Sequence, residues 1–206
     1  MAPSWLLLAW ALGATAPVAA LSGPARSGTP LPAASAADAA LPATSIDPAS
    51  RVEFTLHTRW GQTLHGRFPG VSGGIERDAD GRRRVRIVLD AATVDIAGSP
   101  RYTRFARGPS FFDVARHSTV EFVSDPYPER LLHEGGDLAG ELFLHGVRRH
   151  ERFVIAPSRC DRPGLDCDIV AFGTIQRSAY GVDGWKLALR EPVRFALRVR
   201  TRGNAS

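Results

Sequence analysis

Lysine is almost absent from this sequence: Lys186 is the only one, so nearly all the positive charge behind the formal net charge of +5 sits on arginine. A basic chain invites a nucleic-acid reading, but tracking phosphates takes a basic stripe with interleaved aromatics. No such stripe occurs. The densest run, Arg82-Arg83-Arg84 with Arg86, follows Asp78-Ala79-Asp80-Gly81, a hairpin-turn composition. It reads as the solvated outer face of a strand, with an anionic-surface role as the alternative. No nucleic-acid partner is expected.

Cysteine is nearly as scarce. Cys160 and Cys167 are the only two, separated by Asp-Arg-Pro-Gly-Leu-Asp, a composition that turns sharply. In an oxidising compartment they read as one local disulfide, with two free thiols as the alternative. A four-ligand metal site built on them would have to recruit histidines at no recognisable spacing. His57, His65, His117, His133 and His150 show no i,i+4 or H-x-H pairing, and His145 precedes Gly146 as a turn histidine. No metal or haem site is expected.

A long hydrophobic run is also missing. The apolar stretch from Trp5 to Gly13 is shorter than the ~20 residues of a spanning helix, and Pro17 ends it. Val18 and Ala20 fit cleavage before Leu21, so residues 1–20 read as a secretory signal peptide, although no Lys or Arg precedes Arg26. No cysteine follows the run to accept a lipid. From Ser22 to Ser50 the chain is mainly Ala, Pro, Ser, Thr and Gly, with no aromatic and only Arg26, Asp38 and Asp47 charged. Such a segment cannot bury enough apolar area to offset its ordering entropy, so residues 21–50 read as a disordered tether. The folded domain is expected over 51–202.

That domain carries alternation at period 2, which places one row of side chains inside and the other in water. Val52, Phe54 and Leu56 form such a row, which Trp60 extends after Thr58; Val85, Ile87 and Leu89 form another, and Val193, Phe195, Leu197 and Val199 a third. Weaker strands are expected over Gln62 to Phe68, Thr119 to Val123, Asp137 to Leu144, Arg148 to Ile155 and Ile169 to Ile175, making about eight. Turn dipeptides separate most of them, and short connections favour antiparallel neighbours. Ser99-Pro100 reads as a helix start and Gly108-Pro109 as its stop, predicting one short helix or lid. The expectation is an all-β fold, an eight-stranded antiparallel barrel, because closure removes exposed edges. A sandwich is the alternative, and a barrel of this size is either filled by its own side chains or holds one small ligand.

Two motifs with chemical overtones are set aside. Gly70-Val71-Ser72-Gly73-Gly74 matches G-x-S-x-G, but a strand and hairpin turn follow where a nucleophile elbow needs a helix. Asp78 and Asp80 resemble the start of a calcium loop whose twelfth position would be Leu89 in place of Glu. No catalytic residue is assigned.

From Arg101 to His117 the sequence resembles the pattern R-D-x-H-L-x-S-x-x-F-F-D-V-x-x-x-P of the YceI-like family, most clearly at Phe111-Phe112-Asp113-Val114. Further matches follow in order: Gly66-Arg67-Phe68, Ile87 to Asp95, Val120-Glu121-Phe122 with Ser124, Leu138 to Val147 for G-x-L-x-L-H-G-V, and Gly173 to Gly181 for G-x-I-x-R-S-x-F-G. The chain departs at Tyr102 and Arg104, where the family has Asp and His, and at Gln176, Ala179 and Tyr180 in the last element. The resemblance implies a lipocalin-like barrel, typically periplasmic, that encloses a long amphiphile such as a polyisoprenoid, an isoprenoid quinone or a fatty-acid-like lipid.

A binding or carrier protein is therefore expected, not an enzyme, with no cofactor beyond a bound lipid. Its channel residues are expected to be Phe54, Leu56, Trp60, Phe68, Ile87, Leu89, Phe111, Phe112, Phe122, Leu142, Phe172, Phe195 and Leu197. Arg101 and Arg177 match family arginines; an arginine fork there either engages a headgroup or pins a turn internally. Transient contact with a membrane surface is a further expectation, and the oligomeric state is open to a dimer. The competing reading is a solid barrel that docks an anionic partner or membrane surface through its arginine-rich rim.

Overall fold

The computed structural model describes residues 44–203. The expected signal peptide, and the tether as far as residue 43, lie outside the described residues. The remainder of the expected tether is ordered, since the first strand begins at Thr44. The strands are β1 (Thr44–Ile46), β2 (Arg51–His57), β3 (Thr63–Phe68), β4 (Val71–Arg77), β5 (Arg83–Asp90), β6 (Asp95–Ile96), β7 (Thr119–Ser124), β8 (Gly136–Leu144), β9 (Val147–Ile155), β10 (Ile169–Gln176), β11 (Pro192–Val199) and β12 (Thr201–Arg202). Helices α1 (Pro100–Arg107) and α2 (Leu131–Glu134) are both short, so two helices stand where one was expected.

Twelve strands form a single antiparallel sheet, against the eight read from the alternation. The excess comes from breaks inside long arms. β1 and β2 lie on one arm: both pair with the β3–β4 arm, at Ser45↔Gly74 and Val52↔Phe68, and both with the β11–β12 arm, at Ile46↔Thr201 and Phe54↔Phe195. β5 and β6 likewise run beside the β3–β4 arm, at Val71↔Leu89 and Gly66↔Ile96. Joined in this way, eight arms follow one another in chain order, and the first also pairs with the last. Hydrogen bonding therefore runs round a closed barrel.

The breaks fall where the ladder cannot continue. Pro48 interrupts the first arm and Pro69 the second, and proline has no N–H to donate. In the third arm the Asp90 carboxylate accepts from the Ala92 amide at 2.9 Å and starts a tight turn at Ala91–Thr93. In the last arm the Arg200 amide donates instead to the Ser50 hydroxyl at 2.9 Å.

Side-chain alternation sets the barrel's two faces. Val52, Phe54 and Leu56 are buried, as are Val85, Ile87 and Leu89, while the intervening residues of β5 include Arg86, which bonds Glu121 at 2.6 Å on the outside. Arg83 pairs with Glu129. Arg84 and Arg86 thus stand on the outer face, whereas Arg83 shares the inward register of Val85 and its side chain is largely covered. Gly66 opposes Phe54 on the neighbouring strand, and a Cβ there would come within 2.1 Å of the ring, so glycine lets that phenylalanine lie flat over the backbone. Cys160 and Cys167 are bonded, closing the loop between β9 and β10.

Helix α1 closes one end. Ser99 caps it by accepting from the Tyr102 amide at 3.2 Å, with Pro100 in the first turn. At the other end the Arg107 guanidinium donates to the Val94 carbonyl at 2.9 and 3.1 Å, tying the helix to the barrel wall.

Candidate functional site

The inward rows do not fill the barrel completely. An upper lobe under α1 has a cavity volume of about 110 Å³ and a lower lobe about 70 Å³. Phe195 and Leu144 border both lobes and form a waist between them. The lower lobe is walled by aliphatic and phenylalanine side chains, together with Tyr127. Burial pushes the Tyr127 phenol up to about 12, so it stays protonated throughout the physiological range. The upper lobe has polar wall groups at Thr58, Gln62 and Arg177.

Phe54, Leu56, Phe111, Phe112 and Phe195 line the upper lobe, and Ile87, Leu89, Phe122, Leu142, Leu197 and again Phe195 the lower one. Phe68 borders neither. It is almost fully buried behind the channel, its ring 5.4 Å from both Phe54 and Phe112. Phe172 likewise lies off the channel, and Trp60 borders it only at the mouth. Trp60 does not continue the inner row: β2 ends at His57, the chain turns, and Trp60 stands 75% exposed at the mouth of the upper lobe. Phe172 points outward and is 50% exposed, because the period of 2 in β10 sends Ile169, Ala171 and Ile175 inward.

The two arginines part company. Arg101 is exposed on α1, its guanidinium 5.5 Å above the ring of Phe105, and it lines neither lobe. Arg177 is only 2% exposed. Its Nε donates to the Arg190 carbonyl at 3.2 Å and its Nη1 to the Val182 carbonyl at 3.0 Å and to the Gly184 carbonyl. Glu191 lies 3.7 Å from Nη2, which is buried and has no hydrogen-bond partner among the described residues. Burial pulls the Arg177 pKa down, and the Glu191 and Asp183 carboxylates oppose that shift. The side chain thus holds the loop between β10 and β11 against the barrel, with Nη2 turned toward the Glu191 carboxylate.

Wall residues that sequence reading missed come from irregular segments. Ile96 lies on a two-residue strand, and Val182, Trp185 and Leu189 sit in the loop before β11. No period marks them. Ser72 is on β4 with its hydroxyl 3.4 Å from the Val88 carbonyl, in a strand without an elbow.

A second convergence was also missed. Asp113, His117 and His145 each offer a ligand atom, all within 4.8 Å of one another. The sequence signal is the Asp113–His117 spacing of i,i+4, which no histidine pair accompanies.

No curated protein matches the sequence. Among solved structures, BcnA of Burkholderia cenocepacia is 19% identical with a TM-score of 0.61, over 75% of this chain and 98% of that one. A polyisoprenoid binding domain from Saccharophagus degradans, implicated in plant cell wall breakdown, is 18% identical with a TM-score of 0.56, over 77% and 98%. The YceI protein of Campylobacter jejuni is 15% identical with a TM-score of 0.52, over 68% and 85%. These likenesses concern the fold. The YceI-like domain matches residues 44–201, nearly the whole described barrel, and the chain belongs to the YceI-like family.

Proposed function

We propose that this protein is a periplasmic carrier that holds the hydrocarbon tail of a long isoprenoid-like amphiphile across the two lobes, without catalysing a reaction. The observation that carries this reading is the pair of apolar lobes meeting at a waist of two side chains. Each CH₂ moved from water into such a channel contributes about 0.8 kcal/mol, so a long tail supplies ample affinity without polar contacts. The fold shared with a polyisoprenoid binding domain supports the same ligand class. Arg177 is engaged by its own loop and faces Glu191, so the polar end is met at the rim, where Arg101 on α1 is exposed.

Both lobes are smaller than the ~300–1,000 Å³ of typical ligand pockets. Loading therefore requires Phe195 and Leu144 to swing apart and join the lobes. The mouth is suited to collecting a lipid: Trp60, Tyr102, Phe105, Trp185 and Leu187 are exposed around it, among Arg101, Arg104 and Lys186. Amphipathic rings beside cationic groups favour the boundary of an anionic bilayer.

The small lobes are also what favours the other reading, a filled barrel that docks an anionic partner through its arginines. Against it, Arg86 and Arg152 of the outer face are already engaged by Glu121 and Asp137, and Arg83, largely covered, by Glu129. Lipid extraction and mass spectrometry of the exported protein separate the two. Long-chain amphiphile in stoichiometric amount, reduced in a Phe195→Trp variant that narrows the waist, is the expected result. A bare protein that takes up no isoprenoid alcohol from vesicles ends the carrier reading.

A further inference from the structure

Away from the lipid channel, Asp113 of the α1–β7 connection, His117 four residues later, and His145 of the β8–β9 turn converge on one point. We propose that these three side chains form a binding site for a divalent transition metal of the zinc class.

The decisive atom is His145 Nε2. His145 Nδ1 lies 3.1 Å from the Tyr180 carbonyl oxygen, which can only accept, so Nδ1 carries a proton and, in the neutral imidazole, Nε2 holds the lone pair. That Nε2 is buried and has no hydrogen-bond partner among the described residues. A buried basic lone pair without a donor is costly, and the neighbouring ligand atoms are another imidazole and a carboxylate. A bound cation satisfies all three. The Tyr180 carbonyl then plays the outer role that fixes a ligating histidine's tautomer, and Tyr180 is itself held by its hydroxyl donating to Glu151 at 2.7 Å.

The backbone presents the groups at some cost. His145 and Gly146 form a two-residue turn between the paired Leu144 and Val147, with φ of +52° at His145, a position usually given to Asn, Asp or Gly. Asp113 sits at φ +45°, and its carbonyl accepts from the amides of both Arg116 and His117 at 2.8 Å, which folds His117 back toward the carboxylate. The His117 ring lies tilted with its centroid 4.9 Å from that of His145 and rests on Gly146, where a Cβ would meet its Cε1 at 2.8 Å. Tetrahedral coordination places ligand atoms about 3.3 Å apart, so small rotations of the three side chains complete the geometry.

The other charge close to the group is Arg116, whose guanidinium lies 3.9 Å from the Asp113 carboxylate on a largely exposed side chain. It is free to swing into solvent. Two imidazoles and one carboxylate suit zinc, cobalt, nickel or copper, and not the all-oxygen preference of calcium or magnesium. Asp113 and His145 stand at positions specified by the family patterns F-F-D-V and L-H-G-V, whereas His117 falls where the pattern is open.

Equilibrium dialysis of the tag-free full chain against Zn²⁺ alone, with bound metal counted by elemental mass spectrometry, tests the proposal. About one zinc per chain is expected, with affinity lowered at least about tenfold by either His117→Ala or His145→Asn. Asparagine tolerates the left-handed turn position, so His145→Asn keeps the hairpin. Thermal unfolding supplies the second readout: zinc raises the midpoint of the wild type and not of the variants, whose metal-free midpoints report that they fold. A wild type that binds no zinc, or folded variants that retain its affinity, overturns the proposal.

Discussion

Arg177 shows how a single side chain can look like a ligand group in sequence and turn out to be committed elsewhere. Its arginine-serine motif is equally compatible with a headgroup fork and an internal pin, because both uses need planar, multiply donating nitrogen. In the barrel, Nε and Nη1 are spent on three carbonyls of the loop before β11. Lysine retains the charge but cannot serve those carbonyls at once. Arg177→Lys is expected to cost about 3 kcal/mol in urea unfolding, from buried acceptors left without donors. A loss below about 0.5 kcal/mol would show that the network does not hold the loop. Trp60 shows the opposite displacement: its sequence neighbourhood placed it in the inner row, but the turn after His57 carries it to the rim.

At the level of elements, the regular strands were legible and the irregular ones were not. Period-2 alternation identified β2, β5 and β11 because solvent on one face and core on the other force that pattern. Phe172 departs from the expected channel wall because its parity is opposite to that of Ala171 and Ile175, which sends it outward. Alanine substitution makes the contrast measurable. Phe122→Ala, which empties a buried site 4.9 Å from the Phe153 ring, is expected to cost about 3–5 kcal/mol. Phe172→Ala is expected to cost under about 1 kcal/mol, and equal losses in chemical denaturation would refute the assigned parity. Helix α1 was readable from Ser99-Pro100 and Gly108, since capping chemistry is local. α2 and β6 are too short to leave a period, and only their packing against the barrel defines them.

For the whole molecule, the exposed rim of Trp60, Trp185 and Leu187 around the mouth is the feature no local pattern announces. Replacing all three by serine is expected to slow transfer of a fluorescent isoprenoid between anionic vesicles and protein about tenfold or more, as rim contact area is lost, while leaving the thermal midpoint nearly unchanged. Unaltered transfer would remove the rim from the loading step. Sequence by itself determined the all-β class, most of the inward residues and the family resemblance, because alternation, turns and motif order are written along the chain. Tertiary structure decided the closure of twelve strands into eight arms, the division of the channel at Phe195 and Leu144, and the meeting of Asp113 and His117 with His145. Each of these depends on which distant strands become neighbours, a choice made by the burial of the whole apolar face at once and by no single segment of it.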